Sequence, residues 1–498
     1  MSSHLELRPG TYRDSVSLML VSRAVGGEPG VERALVAMAT ELNLDLLAGM
    51  GFTAPAGATP NDLVIAIAAA DADALANARA RLDAELAGVG AGHGQPGGFG
   101  AAPAPRTIGT AVKAVKAVKA GGAALALVST PGRHAFVDAF DALEAGASVL
   151  LFSDNVPVEQ EIRLKSEAGR RGLLVMGPDC GTAVVGGVGL GFANVVRPGP
   201  VGLVAASGTG AQEVMCLLDA AGVGVSHCLG VGGRDLSEAV GAASTLTALD
   251  LLDADPGTEL ILIVSKPAAP QVAEKVRAHA AAMSTPVVFA LLGEGQPDLT
   301  AAVESALAAL GRPVPNPWPS WGADPSTSTT QGHLRGLFSG GTLCDEAMVI
   351  AAAALGPIAS NIPLRPDWAL PADLRATGHT MIDFGDDQLT QGRAHPMIDG
   401  TLRLERLAAE AADPGCAVVL LDVVLGHAAH ADPATELAPG IKAAREAGRD
   451  VVVSLCGAAD DPQGLDRQAG ALLAAGAAVF LSNAEAARYA VARLEVPA

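Results

Sequence analysis

The feature that most constrains this chain is a phrase that keeps returning: a short apolar run, a small-residue turn, then a helical stretch. From residue 121 to about 312 such runs fall at 123–128, 148–152, 173–176, 201–205, 261–264 and 287–292. Each is apolar at nearly every position. A strand buried on one face alternates, whereas a strand covered by helices on both faces does not. Strands of that kind alternating with helices predict an α/β fold with a doubly wound parallel sheet. The series divides near Pro198, where a fresh strand begins. Two Rossmann- or flavodoxin-like units are therefore expected, over 111–197 and 198–312. Another unit, expected to be flavodoxin-like, covers 334–498, with clear strands at 380–383, 417–421, 451–455 and 479–481. Aromatic residues make up only 3% of the chain while half of it is hydrophobic, so Val, Leu and Ala must fill these cores.

Residues 1–90 read as a small α+β domain. Strands are expected at 5–7, 34–39 and 63–67, with a helical stretch between the first two and a helix over 72–88. Gly and Pro then crowd the sequence, and residues 91–110 read as a linker because that composition cannot bury a core. The Ala-Val-Lys repeat at 111–120 reads as a short helix with a solvated basic face. Residues 313–333, dense in Pro and Ser, read as a second linker. A chain of 498 residues accommodates about three or four such domains.

Charge narrows the partners. The net charge of −20 repels phosphate backbones and argues against nucleic acid. The six cysteines, Cys180, Cys216, Cys228, Cys344, Cys416 and Cys456, show neither paired nor framework spacing and read as free thiols of a reducing compartment. No signal-peptide pattern and no membrane-length apolar run is evident, so a cytoplasmic location without a membrane partner is expected.

Three turns carry the candidate chemistry. In the first, the strand Val201–Ala205 runs into Ser207-Gly208-Thr209-Gly210 and opens a helix. The first amides of a helix lack intrahelical acceptors, and with the helix dipole they attract an anion. Ser207 as an ordinary N-cap is the plainer alternative. In the second, an apolar run ends at Gly426-His427, with His430 three residues on. One of these histidines suits anion contact or acid–base work. A metal is not expected, because a third ligand is missing. In the third, Gly177-Pro178 turns a strand and is expected to expose Asp179 and Cys180 at the sheet edge, although an inert buried thiol is the commoner fate of such a cysteine. Weaker turns follow at Gly230–Asp235, including Gly232 and Gly233, at Ser339–Thr342, at Asp383–Asp387 and at Cys456-Gly457. Arg234 and Lys266 are the cations best placed to neutralise an oxyanion. No P-loop or GxSxG phrase occurs, and no GxGxxG lies between a first strand and helix with an acidic residue about twenty positions on.

Taken in order, Gly177-Pro178-Asp179-Cys180, Ser207-Gly208-Thr209 and Gly230-Val231-Gly232-Gly233 resemble the signatures of the succinyl-CoA synthetase α subunit. Residues 334–498, through Asp383-Phe384-Gly385, Gly426-His427 and Leu455-Cys456-Gly457, resemble the C-terminal domain of its β subunit. The unit around Tyr12–Val16 and the phrase Leu151–Pro157 are similar to FdrA proteins, where these parts are fused. The resemblance implies that the helices opening near Ser207 and near Gly426 face one anion, so that Ser207, Gly208, Thr209, Gly210, Gly426 and His427 bind phosphate. It also implies a substrate pocket at Asp179, Cys180, Gly232, Gly233 and Asp383, with His427, His430 and Arg234 as the catalytic candidates.

The departures are specific. The family's phosphohistidine follows the strand matching 287–292, but here that strand continues Gly293-Glu294-Gly295, and no histidine lies between His279 and His333. Its acidic partner would lie near Ser265-Lys266-Pro267, where no acidic residue occurs. An ATP-grasp region and the glycine-rich CoA loop have no counterpart, so ATP and CoA are doubtful cofactors. The resemblance therefore implies a free acyl phosphate as substrate, with carbamoyl phosphate or phosphate as the candidates. It also implies oxamate carbamoyltransferase activity of allantoin and purine catabolism, exerted in an oligomer with companion subunits. The alternatives are an acyl-CoA synthetase subunit and a non-catalytic metabolite-sensing scaffold.

Overall fold

The computed structural model describes residues 2–13, 15–90, 105–118, 125–323, 329–375, 377–390 and 393–495. The chain divides into two compact units, Met1–Arg106 with Thr390–Ala394, and Thr107–Leu389 with His395–Ala498.

In the first unit, β1 (Ser2–Arg8), α1 (Ser15–Gly26), β2 (Val31–Met38), α2 (Glu41–Gly49), β3 (Leu63–Ala69) and α3 (Ala72–Gly90) build an antiparallel sheet in the order β1-β3-β2. Alternation along central β3 sends Leu63, Ile65 and Ile67 against Leu18, Val21 and Leu82, and Val64 and Ala66 against Leu47. The helix α2 is not anticipated by the sequence reading. Leu42, Leu44 and Leu46 alternate at a strand's period, but Thr40 caps the segment by accepting from the Asn43 amide at 3.4 Å. The 91–110 linker lies mostly outside the described residues, and its last residues already belong to the next helix.

The second unit opens with α4 (Ile108–Val118), β4 (Leu125–Val128), α5 (Gly132–Glu144), β5 (Ser148–Leu151), α6 (Val158–Arg170) and β6 (Val175–Met176), a parallel three-stranded sheet in the order β4-β5-β6. A hairpin follows, β7 (Thr182–Val185) with β8 (Val188–Gly191). It does not extend this sheet. It pairs antiparallel with a strand of the next one, so the boundary expected at 197 falls earlier in the chain.

The second sheet is formed by β9 (Pro198–Ala205), α7 (Gly208–Ala220), β10 (Val225–Gly230), α8 (Ala243–Asp253), β11 (Leu260–Ser265), α9 (Pro270–Ala280), β12 (Val287–Leu291) and α10 (Leu299–Ala309). Its order is β12-β11-β9-β10-β7-β8. The third sheet uses β13 (Ser320–Trp321), β14 (His333–Phe338), α11 (Gly341–Leu355), β15 (Ala359–Ser360), β16 (Thr380–Asp383), α12 (Asp387–Thr390), α13 (Thr401–Ala412), β17 (Cys416–Val424), α14 (Pro433–Glu446), β18 (Asp450–Cys456), α15 (Leu465–Ala474), β19 (Ala478–Phe480) and α16 (Asn483–Ala492). Its order is β13-β19-β18-β17-β14-β16-β15. The 313–333 linker thus contributes an edge strand, and Trp318 within it is buried, its indole N–H donating to Glu304 at 3.0 Å. Residues 324–328 lie outside the described residues.

Both larger sheets share one topology at their centres. After β9 the chain moves to β10 on one side and returns to β11 on the other. After β14 it moves to β15 and then β16 on one side and returns to β17 on the other. Each sheet therefore has its switch point at the carboxyl end of the strand that feeds α7 or α11, where α/β sheets leave a crevice for ligand.

A buried polar seam joins these two sheets. Glu213, on α7, accepts the amide of Asn483, the first residue of α16, at 2.8 Å. Glu346, on α11, accepts the amide of Leu299, the first residue of α10, at 2.6 Å. Each sheet's central helix thus caps a helix of the other sheet. The Thr300 and Ser482 hydroxyls meet at 2.7 Å between the two contacts.

Candidate functional site

The local sequence explains the start of α7. Ser207 is extended, its side chain accepts the Gly210 amide at 2.9 Å, and the helix begins at Gly208. The amides of Gly208 and Thr209 have no acceptor within the helix by position. Gly208 is exposed. This much agrees with the sequence reading.

The turn facing Ser207 is not the one at Gly426. Ser207 Oγ donates to Thr342 Oγ1 at 2.6 Å, so the start of α7 meets the start of α11. The approach is close: a Cβ on Gly340 would lie 2.8 Å from Thr209 Oγ1, and one on Gly210 would lie 2.9 Å from Thr342 Cγ2. The Gly340 N-cap has no side chain to cap with, and buried Asp422 of β17 supports the turn instead. Asp422 accepts from Ser339 N at 2.7 Å, Ser339 Oγ at 2.9 Å and Gly340 N at 2.8 Å, and pairs with Arg403 at 2.6 Å. Burial pushes its carboxyl up against the pull of Arg403 and these donors.

The Gly426 turn must be corrected. No helix opens there; α14 begins at Pro433. Three of its amides are already engaged: Gly426 N donates to Gln463 Oε1 at 3.0 Å, His427 N to Ala193 O at 2.8 Å and His430 N to Met397 O at 2.7 Å. A positive φ of 108° at Gly426 and a Cβ position 2.6 Å from Ala193 O show that this glycine serves close packing. The turn touches the side of α7 through Gln212, whose Nε2 reaches Leu425 O at 3.5 Å, and not its end. The His427 side chain is exposed, and His430 Nδ1 accepts the Asp432 amide at 3.0 Å.

Acidic and basic groups gather over the start of α11. A Cβ on Gly341 would lie 2.7 Å from Asp383 Oδ2 and 2.8 Å from Lys266 Nζ. Lys266 lies 3.6 Å from Asp345, and its side chain is 42% exposed. Although partial burial opposes it, the Asp345 and Asp383 charges hold the ammonium above its ordinary range. Burial pushes Asp345 up to about 6 and Asp383 up to about 7, with Lys266 opposing in both. His395 lies close by, its Nε2 2.9 Å from the place a Gly385 Cβ would occupy, and burial with the Arg403 charge lowers it to about 4, so it is neutral.

The remaining expected residues scatter around this centre. Asp179 has φ 57° and is exposed as expected; partial desolvation, then the charges of Asp387 and Asp154, push its carboxyl up to about 7. Cys180 is not exposed at the sheet edge but buried, the commoner fate of such a cysteine, and desolvation lifts its thiol to about 12, which removes it as a nucleophile. Gly232, at φ 88°, packs on Gly177-Pro178, with its Cβ position 2.5 Å from Pro178 O; Gly233 has open space beside it. Arg234 pairs with buried Glu161 at 2.9 Å and donates to Val156 O at 2.7 Å. No metal-holding group of His, Cys, Asp and Glu occurs among the described residues. A cavity of about 590 Å³ lies between Leu292, Glu346, Ile350, Ala353 and Val491, and it includes none of Ser207, Gly341, Lys266 or Asp383.

Known proteins share these parts. Residues 1–99 match the family described as AllF, heavy metal-associated domain, and residues 337–493 match the CoA-ligase family. The first cysteine of the chain is Cys180, so residues 1–99 offer no thiolate. Across 97% of both chains, the sequence is 39% identical to the Escherichia coli K12 protein described as "Uncharacterized protein YahF". The chain belongs to the YahF family. This YahF-family chain is also 26% identical to the succinate–CoA ligase [ADP-forming] α subunit of Methanothermobacter thermautotrophicus, over 34% of its own length and 58% of that subunit. It is 28% identical to the malate–CoA ligase α subunit of Methylorubrum extorquens, over 32% of its length and 55% of that protein. It thus spans little more than half of either α subunit. A solved dinucleotide-forming acetyl-coenzyme A synthetase of Ca. Korarchaeum cryptofilum aligns over 80% of this chain and 97% of its own, at 16% identity and a TM-score of 0.29. None of these descriptions names carbamoyl transfer. Among the described residues, no helix is long and apolar enough to cross a membrane.

Proposed function

We propose that this YahF-family chain is a subunit of a CoA-ligase-type enzyme whose facing α7 and α11 ends take the phosphoryl group of an acyl phosphate. The observation that carries this reading is the meeting of two helix starts, Ser207 on Thr342, beside Lys266. The amides of Gly208, Thr209, Gly341 and Thr342 would hold phosphoryl oxygens, and Lys266 would offset their charge. The same donors would stabilise an oxyanion developing on the acyl carbon.

Two reactions use such a site. The likeness to succinate– and malate–CoA ligase α subunits favours acid–thiol ligation, in which the acyl phosphate passes its acyl group to a thiol. Carbamoyl transfer is the second reading. It is favoured by Lys266 at the position of the family's acidic residue and by the histidine-free stretch between His279 and His333. There a phosphate oxygen attacks the carbamoyl carbon of oxalurate, the C–N bond breaks, and the departing oxamate nitrogen takes a proton. Asp345, raised to about 6 beside Lys266, can exchange protons near neutrality.

The experiment assays the chain together with its companion subunits in two ways, for phosphate-dependent oxalurate cleavage and for acyl-CoA formation from ATP. The Lys266→Met variant is expected to lose whichever activity is found. An active complex that Lys266→Met leaves unchanged, or a wild-type chain without phosphate affinity, would overturn the proposal.

A further inference from the structure

One histidine beside the helix starts takes no part in the reading above. His395 stands in the loop before α13, and its ring is held in place. Its Nδ1 accepts the Met397 amide at 3.3 Å, and its carbonyl accepts the amides of Ile398 at 2.8 Å and Asp399 at 3.0 Å. Buried Phe192, next after β8, packs against the ring with centroids 5.7 Å apart, and Phe152 backs Phe192 at 6.1 Å. The residue is half-buried rather than sealed in a core. Its Nε2 faces the gap that Gly385 leaves, where a Cβ would lie 2.9 Å from Nε2, 3.1 Å from Asp383 Oδ1 and 2.7 Å from Ser339 O.

Because Nδ1 is an acceptor, the neutral ring carries its proton on Nε2. His395 is therefore a donor toward that gap, with no lone pair there to attack phosphorus. Burial and the Arg403 guanidinium oppose protonation and keep the ring neutral. The standing charge of a phosphoryl group falls to Lys266 and the helix-start amides. A fixed neutral N–H acts most where charge develops during a reaction. Geometry decides which part of a ligand it meets. An anion on the Gly341 amide lies on the Oδ2 side of Asp383, whereas His395 lies on the Oδ1 side. Nε2 therefore faces the group attached to the phosphoryl, and not the phosphoryl itself.

We infer that His395 is a further catalytic residue, whose Nε2–H donates to the oxygen on the acyl carbon, where negative charge develops as the acyl–phosphate bond is made or broken. This inference rests on the acyl-phosphate reading above. It holds for either of the two reactions. Gly385 is part of the same device, since any side chain there would fill the space in front of Nε2.

The test measures binding to the full chain by calorimetry, with three probes. These are orthophosphate, acetonylphosphonate, and propylphosphonate, which replaces the carbonyl by a methylene group. Wild type is expected to bind the carbonyl probe about 5-fold tighter than the propyl probe, as one neutral hydrogen bond allows. In His395→Leu that preference should vanish while orthophosphate still binds. His395→Gln, whose amide reaches the place of Nε2, should keep it. His395→Asn, whose amide stops near the place of Nδ1, takes the place of the leucine variant if that one does not fold. In the complex with companion subunits, His395→Leu should lower kcat about 100-fold, as loss of one oxyanion donor does, with KM little changed. Equal wild-type affinity for the two organic probes overturns the inference, as does a preference that survives His395→Leu or a kcat that His395→Leu leaves unchanged. A preference lost equally in the leucine and glutamine variants makes the ring a packing support and overturns it too. If orthophosphate binds while the preference is missing, only the role of His395 fails. If none of the three binds, the anion site fails, and the inference fails with it.

Discussion

The helix starts of α7 and α11 face each other, but they are held by different means. At α7 the support is local: Ser207 accepts the amide of Gly210, three residues on. At α11 it is remote: Gly340 has no capping side chain, and Asp422, 82 residues away, takes up the turn's donors. A self-capped helix start is robust to events elsewhere in the fold. A start held by a buried carboxylate depends on Arg403, on β17 and on every contact that keeps them dry. The two halves of one site therefore differ in where their stability resides, and substitutions should separate them.

The largest effect is expected from Asp422→Ala. It strands buried Arg403 and leaves Ser339 and Gly340 donors unpaired, and loss of one partner of a buried pair costs about 3–5 kcal/mol. Denaturant unfolding measures this directly, and a loss near that of a surface substitution would break the comparison. Gly340→Ala comes next. The added Cβ would meet Thr209 Oγ1 at 2.8 Å, and overpacking of this kind costs about 1–3 kcal/mol. Orthophosphate affinity should fall with it, and Thr209→Ala should restore part of both in a double-mutant cycle. Ser207→Ala removes only a local cap, for which about 1 kcal/mol is usual. A penalty matching that of Asp422→Ala would show that α7 is no more self-sufficient than α11.

The seam behind the site gives a pH test. Glu213 is pushed up to about 8 by burial and by the Glu346 charge, and Glu346 to about 7 by burial. Both folded values exceed the ordinary carboxylate value of 4.5, so the fold favours the protonated forms. Their contribution is fully present below about 4.5 and is lost as pH rises through about 7 to 8. Unfolding midpoints followed from pH 5 to pH 9 should show that decline, and Glu213→Gln should flatten it; a decline of unchanged slope would remove Glu213 from the account. The smallest effect belongs to His427→Ala. An exposed side chain outside the paired helix starts should shift stability by less than about 0.5 kcal/mol and leave phosphate affinity unchanged. A large loss of affinity would return the Gly426 turn to the site.

How much of this was legible in the sequence differs between the two halves for the same reason. Ser207-Gly208-Thr209 follows an uninterrupted apolar strand, and its cap is written within four residues. Gly340-Gly341-Thr342 is a similar phrase, but the strand before it, His333–Phe338, carries Arg335. A buried arginine reads as loop until its partners Glu410 and Asp413, at 3.0 and 3.1 Å, are brought to it by the fold. Gly426 presented the stronger pattern, a longer apolar strand ending in Gly-His, and it proved to be a packing turn. A glycine at a strand end signals close approach of something; only the neighbours show whether that is ligand or backbone. Lys266 was legible as a cation and Asp383 as a candidate at a strand end, whereas nothing local in the sequence marks Asp345 as their neighbour.

The sequence by itself determined the layers: apolar runs too continuous for a one-sided sheet required helices on both faces, and the spacing of those runs set most strands and helices. It also determined the start of α7, because an N-cap needs only its own first turn. Tertiary structure decided which second helix start meets it, which carboxylates surround Lys266, and which glycine amides are already engaged. Those facts depend on distances between residues that share no local pattern, and burial sets both the pairing and the proton affinity of such groups only once the chain has closed around them.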